Sequence, residues 1–176
     1  MSKWLLIRIG QSTDSTNTSV GILVMVPHLA GLMAMILVSR SSDRRLERRF
    51  HAAIPLIVGG MALLLLGATN SPLLSITLWS FVAMGIYSFF GPFFSIPSRF
   101  LAGFSAASGI ALINAVGNLG GFVGPSAIGA LANGTNGIYV GLALAGVSLF
   151  VSATLVLLLP EKAASRLLGS ADRHVR

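Results

Sequence analysis

The chain of 176 residues has no cysteine, only five acidic residues, and charged residues of both signs amount to just 10% of it. Without thiols it can form no disulfide, thiolate-bound metal site or cysteine nucleophile. The shortage of charge excludes more. Between positions 52 and 160 the one charged side chain is Arg99, so this stretch offers no carboxylate pair for acid–base work, no metal cluster and no Ser/His/Asp set. Neither enzymatic activity, nor a metal, nor a cofactor is expected.

Apolar residues are plentiful. They make up 54% of the chain, too much for a soluble domain of average composition, so the chain reads as an all-α integral membrane protein. Uncharged apolar stretches of bilayer-crossing length, roughly 20 residues, fall at 20–39, 52–69, 73–97, 106–131 and 138–159. That gives about five transmembrane helices. Residues 1–19 read as an N-terminal tail or loop, 20–160 as the helical bundle and 161–176 as a basic cytoplasmic tail. Lys3 and a short apolar run open the chain, but Arg8 interrupts the run and no small-residue cleavage site follows, so a signal peptide is not expected. Gly91-Pro92, with Pro97 beyond, predicts a broken or bent third span.

The net charge of +7 would suit nucleic acid, yet its distribution suits membrane topology instead. Arg40, Arg44, Arg45, Arg48 and Arg49 crowd one short loop, and Arg99, Lys162, Arg166, Arg173 and Arg176 follow later spans that end on the same side. By the positive-inside rule that side is the cytoplasm, which makes the chain a multi-pass protein of the cell (inner) membrane. The lipid bilayer is its first partner and no nucleic-acid partner is expected.

The stretch 109–125, G-I-A-L-I-N-A-V-G-N-L-G-G-F-V-G-P, is the most unusual in composition. At 100° per residue Asn114, Gly117, Asn118, Gly120, Gly121 and Gly124 share an arc of roughly 160°, with bulky residues opposite. Gly117/Gly121 and Gly120/Gly124 are both G-x-x-x-G pairs, the spacing that lets membrane helices approach backbone to backbone, so a packing surface is expected here.

Candidates for a site are the amides Asn114 and Asn118, the imidazole His28 beside Pro27 in the first span, and Tyr87 in the third. A titratable ring at membrane depth suggests function, but His28 could equally bond a neighbouring helix or lie near an interface. The two amides, four residues apart on one face, could meet a polar ligand or a water-filled path. Alternatively each could hydrogen-bond an adjacent helix, worth about 0.6–2 kcal/mol.

Three sequence features carry a resemblance to a known family. The loop order S-D-R-x-x-x-R-R after a span, with Asp43, Arg44, Arg48 and Arg49, resembles the loop between the eighth and ninth helices of major facilitator superfamily transporters, notably the anion:cation symporter group. There an acidic residue and arginines bridge helix ends on the cytoplasmic side. Ser39 and Leu46 stand where that family has glycine, which argues against a tight turn. The run 111–125 resembles the eleventh helix of the same group, and F-F-S-I-P at 93–97 fits the same frame. The resemblance covers roughly 20–159 and implies helices 8–12 of a twelve-helix fold, that is, its C-terminal part only. It further implies a secondary transporter of small organic anions such as tartrate, phthalate or sugar acids, working by proton symport between two six-helix halves. The first half has no counterpart here, so the chain is expected to be a truncated C-terminal part, not competent alone and a possible partner of that N-terminal half. The alternative is a small helical membrane protein that serves as an interaction partner, or an inactive fragment.

Overall fold

In lipid the backbone has no hydrogen-bond partner but itself, so each uncharged stretch is forced into a helix despite its glycines and prolines. The structure, a computed structural model, describes residues 14–96, 104–131 and 137–159. Among the described residues five helices follow one another: α1 (Asp14–Arg45), α2 (Arg49–Ala68), α3 (Pro72–Ser95), α4 (Phe104–Leu131) and α5 (Gly137–Leu158). Each is long and apolar enough to cross a membrane. The protein is an all-α, multi-pass integral membrane protein.

Two local expectations are corrected. The first helix begins at Asp14, inside the segment read as tail, and runs on to Arg45. Once nucleated, a helix adds one backbone hydrogen bond per residue and need not stop where the apolar stretch stops; Arg44 and Arg45 in its last turn also complement its dipole. The second concerns the third span, where the break is what is corrected: α3 passes through Gly91-Pro92 and continues to Ser95. The Pro92 ring is fully buried, so packing offsets the hydrogen bond that proline removes. The expectations for Pro97, Arg99 and the segments 1–13, 132–136 and 160–176 lie outside the described residues.

The centre of the bundle is α2, which packs against α3 on one side and α5 on the other. Outside them, α1 packs against α3, while α4 rests lightly on α5. Directions follow from the contacts. Gly31 of α1 lies at Ala83 and Tyr87 of α3, and Ser39 lies at Gly91, so α1 and α3 run parallel. Gly60 of α2 meets Gly146 of α5 while Gly67 meets Tyr139, so these two are antiparallel. The ends of α1, α3 and α5 therefore gather with the start of α2. There Ala52, Ala53, Leu56, Ala153 and Val156 form one core cluster, supported by Phe89 and Phe93. A second cluster, toward the other face, joins Ala62, Leu63 and Leu66 to Leu78 and Val82.

Small residues set the tightest approach. A Cβ on Gly85 would fall 2.5 Å from the Pro55 carbonyl oxygen and 2.9 Å from Gly59 Cα, closer than any side chain tolerates. Glycine on both helices lets α2 and α3 touch along their backbones, which is how membrane helices gain contact when lipid is as apolar as leucine. Outward-facing Ile22, Met33, Leu65, Leu73 and Leu155 present the apolar surface that lipid requires.

Candidate functional site

Polar side chains collect in two places. At the junction of α1 and α2, Arg48 pairs with Asp43 and reaches Ser42 Oγ at 3.3 Å, while Ser42 donates to the Glu47 carbonyl at 2.7 Å. The acid and one arginine of the loop motif are thereby brought together across the two helix ends. Arg44 is exposed, and Arg49 opens α2. The turn forms although no glycine is present: Leu46 takes a left-handed backbone with φ of 54°, at a cost of about 1–2 kcal/mol. The argument against a tight turn is thus corrected, because ties on both sides of Leu46 hold it there.

Glu47 is the residue that the sequence reading missed. Its carboxylate accepts the amide hydrogens of Phe50 at 2.8 Å and His51 at 3.3 Å, two of the donors that a helix start leaves unpaired. It also accepts from His51 Nδ1 at 2.7 Å, and His51 Nε2 lies 3.0 Å from Ser41 Oγ on α1. Burial raises the Glu47 carboxyl, but the Phe50 amide, the His51 ring and the His51 amide outweigh it and hold the group below the ordinary carboxylate value. The signal was present in the sequence as an acid four residues before a histidine, just ahead of an apolar run.

The second place is at membrane depth. His28 Nδ1 lies 2.7 Å from Tyr87 Oη, and the two rings stack with centroids 5.9 Å apart. Pro27 is fully buried beside an exposed His28. Tyr87 reaches across because residue 31 is glycine: a Cβ there would lie 3.0 Å from Tyr87 Cε2, with Cδ2 closer still. The structure thus joins two of the four candidate residues, from α1 and α3.

The other two stand apart. Asn114 and Asn118 are exposed on α4, whose main packing partner is α5. No described residue comes within 4 Å of a Cβ built on Gly117, Gly120, Gly121 or Gly124. The glycine stripe is not an interface among the described helices.

No family profile matches the chain, and neither does any solved structure. Curated proteins do. The chain is related to bacterial transporters. It is 38% identical over 142 residues to a quinolone resistance transporter of Acinetobacter baumannii, a match covering 81% of this chain and 33% of that protein. It is 38% identical over 140 residues to an Agrobacterium vitis protein named as a tartrate transporter, covering 80% and 31%. With the inner membrane transport protein RhmT of Escherichia coli K12 it shares 33% identity over 104 residues, covering 59% and 24%. The chain therefore spans about a third of the length of the curated relatives it matches. These relatives are named for transport and not for catalysis.

Proposed function

We propose that this chain forms part of the solute pathway of a secondary transporter of the major facilitator superfamily, in the anion:cation symporter group, supplying helices 8–12. Its cargo is a small organic anion moved by proton symport across the inner membrane. The observation that carries this reading is the His28–Tyr87 hydrogen bond, a polar contact between two helices at a depth where the spans hold no fixed charge. Two Agrobacterium vitis relatives named as tartrate transporters support the choice of cargo.

In this reading His28 and Tyr87 contact substrate together with Asn114 and Asn118 of α4. Gly117, Gly120, Gly121 and Gly124 pack against a helix outside the described residues, in the N-terminal half of the transporter. Asp43, Arg44, Arg48 and Arg49 face the cytoplasm and tie helix ends. Transport needs two halves that move against each other around a midplane site, so the chain is not competent by itself. The uncovered face of α4 supports a second reading, a small membrane protein that packs against another subunit.

A chimera tests the first reading. This chain replaces the matching segment of the Agrobacterium vitis tartrate transporter, and uptake of labelled tartrate is measured. Uptake by the chimera, abolished by Asn114→Leu, is expected. A membrane-inserted chimera that takes up no tartrate, or whose uptake ignores Asn114→Leu, would favour the second reading.

A further inference from the structure

The geometry points to His28 as a proton-dependent carboxylate-binding residue, with Tyr87 holding the imidazole so that Nε2 is left to donate to the ligand. This inference rests on the reading of the chain as part of an organic-anion pathway and adds the group that supplies the positive charge.

An anion entering hydrocarbon needs a cation or several strong donors, because a charge in a low-dielectric medium is costly when unpaired. Among the described residues 21–39, 52–95, 107–130 and 139–158 there is no Lys, Arg, Asp or Glu. Asn114 and Asn118 orient a ligand but neutralise nothing. His28 is the side chain in these stretches that can bear a positive charge.

Its partner suits both protonation states. A tyrosine hydroxyl donates or accepts by rotating, so it donates to Nδ1 when that nitrogen is bare and accepts from it when it bears hydrogen. The 2.7 Å contact therefore survives proton uptake. With Tyr87 donating to Nδ1 the neutral ring holds its hydrogen on Nε2, the protonated ring keeps it there, and no hydrogen bond of Nε2 is found among the described residues. Protonation converts a weak donor into a charged one, and charge-assisted bonds to carboxylate are about twice as strong as neutral ones.

Among the described residues no other titratable group lies beside His28. The element packed along this part of α1 is α3, whose one titratable residue is Tyr87. Contact between α1 and α2 is slight, and α2 bears Arg49 and His51 at its loop end. On α1 itself Asp14 stands fourteen residues before His28, about 21 Å along the axis, and Arg40, Asp43, Arg44 and Arg45 begin twelve residues beyond it, about 18 Å. Nor does an intramembrane carboxylate compete with the ligand for the protonated ring.

The test uses the full chain in lipid nanodiscs with 15N-labelled histidine. Three histidines are present, and His28→Gln identifies the His28 ring signals. Tartrate is titrated at pH 6 and pH 8. We expect saturable shifts of the His28 Nε2 signal, a dissociation constant at least about fivefold lower at pH 6, loss of both in His28→Gln, and weaker binding in Tyr87→Phe with an unchanged melting temperature. Tartrate that binds with equal affinity at both pH values, or binds while the His28 signals stay fixed, would overturn the inference and leave the anion pathway standing. Absence of any tartrate binding to this chain or to the chimera described above would remove both.

Discussion

Tyr87 lies against the backbone of α1 at Gly31, with its ring and the Ala83 carbonyl oxygen, 3.1 Å from the position of a Cβ, filling the space where a side chain would be. This contact sets how closely α1 and α3 approach, and it delivers the Tyr87 hydroxyl to His28. Gly31→Ala is expected to push the ring aside. The cost of such overpacking is about 1–3 kcal/mol, visible as a lower melting temperature in detergent, and the Tyr87 ring should lose its stacking on His28. Unchanged stability together with unchanged His28 ring shifts would show that the ring moves freely.

A comparison of two glycines separates internal packing from composition. Gly85 faces the Pro55 carbonyl and Gly59 backbone with no room for a Cβ, whereas Gly121 has nothing within 4 Å. Gly85→Leu should strongly destabilise or abolish the folded bundle, because backbone, unlike a flexible side chain, does not yield. In this chain by itself Gly121→Leu should shift the melting temperature little. A large loss from Gly121→Leu in the transporter chimera, but not in the chain alone, would place the glycine stripe against a helix from outside the described residues.

The Glu47 carboxylate caps α2 and binds His51. Glu47→Gln keeps the shape but weakens the acceptor, and a cost of about 1 kcal/mol is expected, in line with measured helix caps. The sign of the pH effect follows from the lowered pKa. A depressed carboxyl adds stability that is fully present above its unfolded value, about 4.3, and that is lost as pH falls through the folded value. Thermal melts from pH 6 down to pH 3 should show the wild type losing more than Glu47→Gln, the two curves converging at the acid end. Parallel curves would mean that the carboxylate does not stabilise the fold through its charge.

How much of this was legible in the sequence depends on the physics involved. The five spans were plain, because hydrocarbon thickness and the cost of an unsatisfied backbone leave few alternatives. Their partners were not. In water the buried face of a helix is its apolar face, but here the lipid-facing side is apolar too, so hydropathy does not reveal which side packs. The glycines at 117–124 stand out by number and are open, whereas Gly31, Gly85 and Gly91, isolated in sequence, make the closest contacts. His28 and Tyr87 were chosen separately for their chemistry. That they meet depends on α1 and α3 running parallel, a relationship between segments 59 positions apart that no local pattern records. A tie between Asp43 and the arginines after it is implied by the resemblance of the loop motif, and Arg48 is the arginine that pairs with it. The Leu46 turn was misjudged because backbone strain is decided by the ties around it.

The last prediction concerns which side of the membrane the arginines occupy. Because α1, α3 and α5 run parallel, the arginine-rich junction at 40–49 shares a face with the ends of the third and fifth helices, and after those ends the sequence places Arg99 and Lys162. Among the described residues every basic side chain, Arg40, Arg44, Arg45, Arg48 and Arg49, lies at that face, and the positive-inside rule assigns it to the cytoplasm. With no native cysteine, single cysteines report position cleanly. Ser42 is unsuitable, being completely buried, but Leu46 is 71% exposed in the turn, and Asn70 is exposed in the opposite turn, between α2 and α3. An impermeant maleimide added to intact cells should label Asn70→Cys and spare Leu46→Cys, and inside-out vesicles should reverse the pattern. Labelling of Leu46→Cys in intact cells, with Asn70→Cys protected, would put the arginine junction outside and overturn the cytoplasmic assignment of Asp43, Arg44, Arg48 and Arg49.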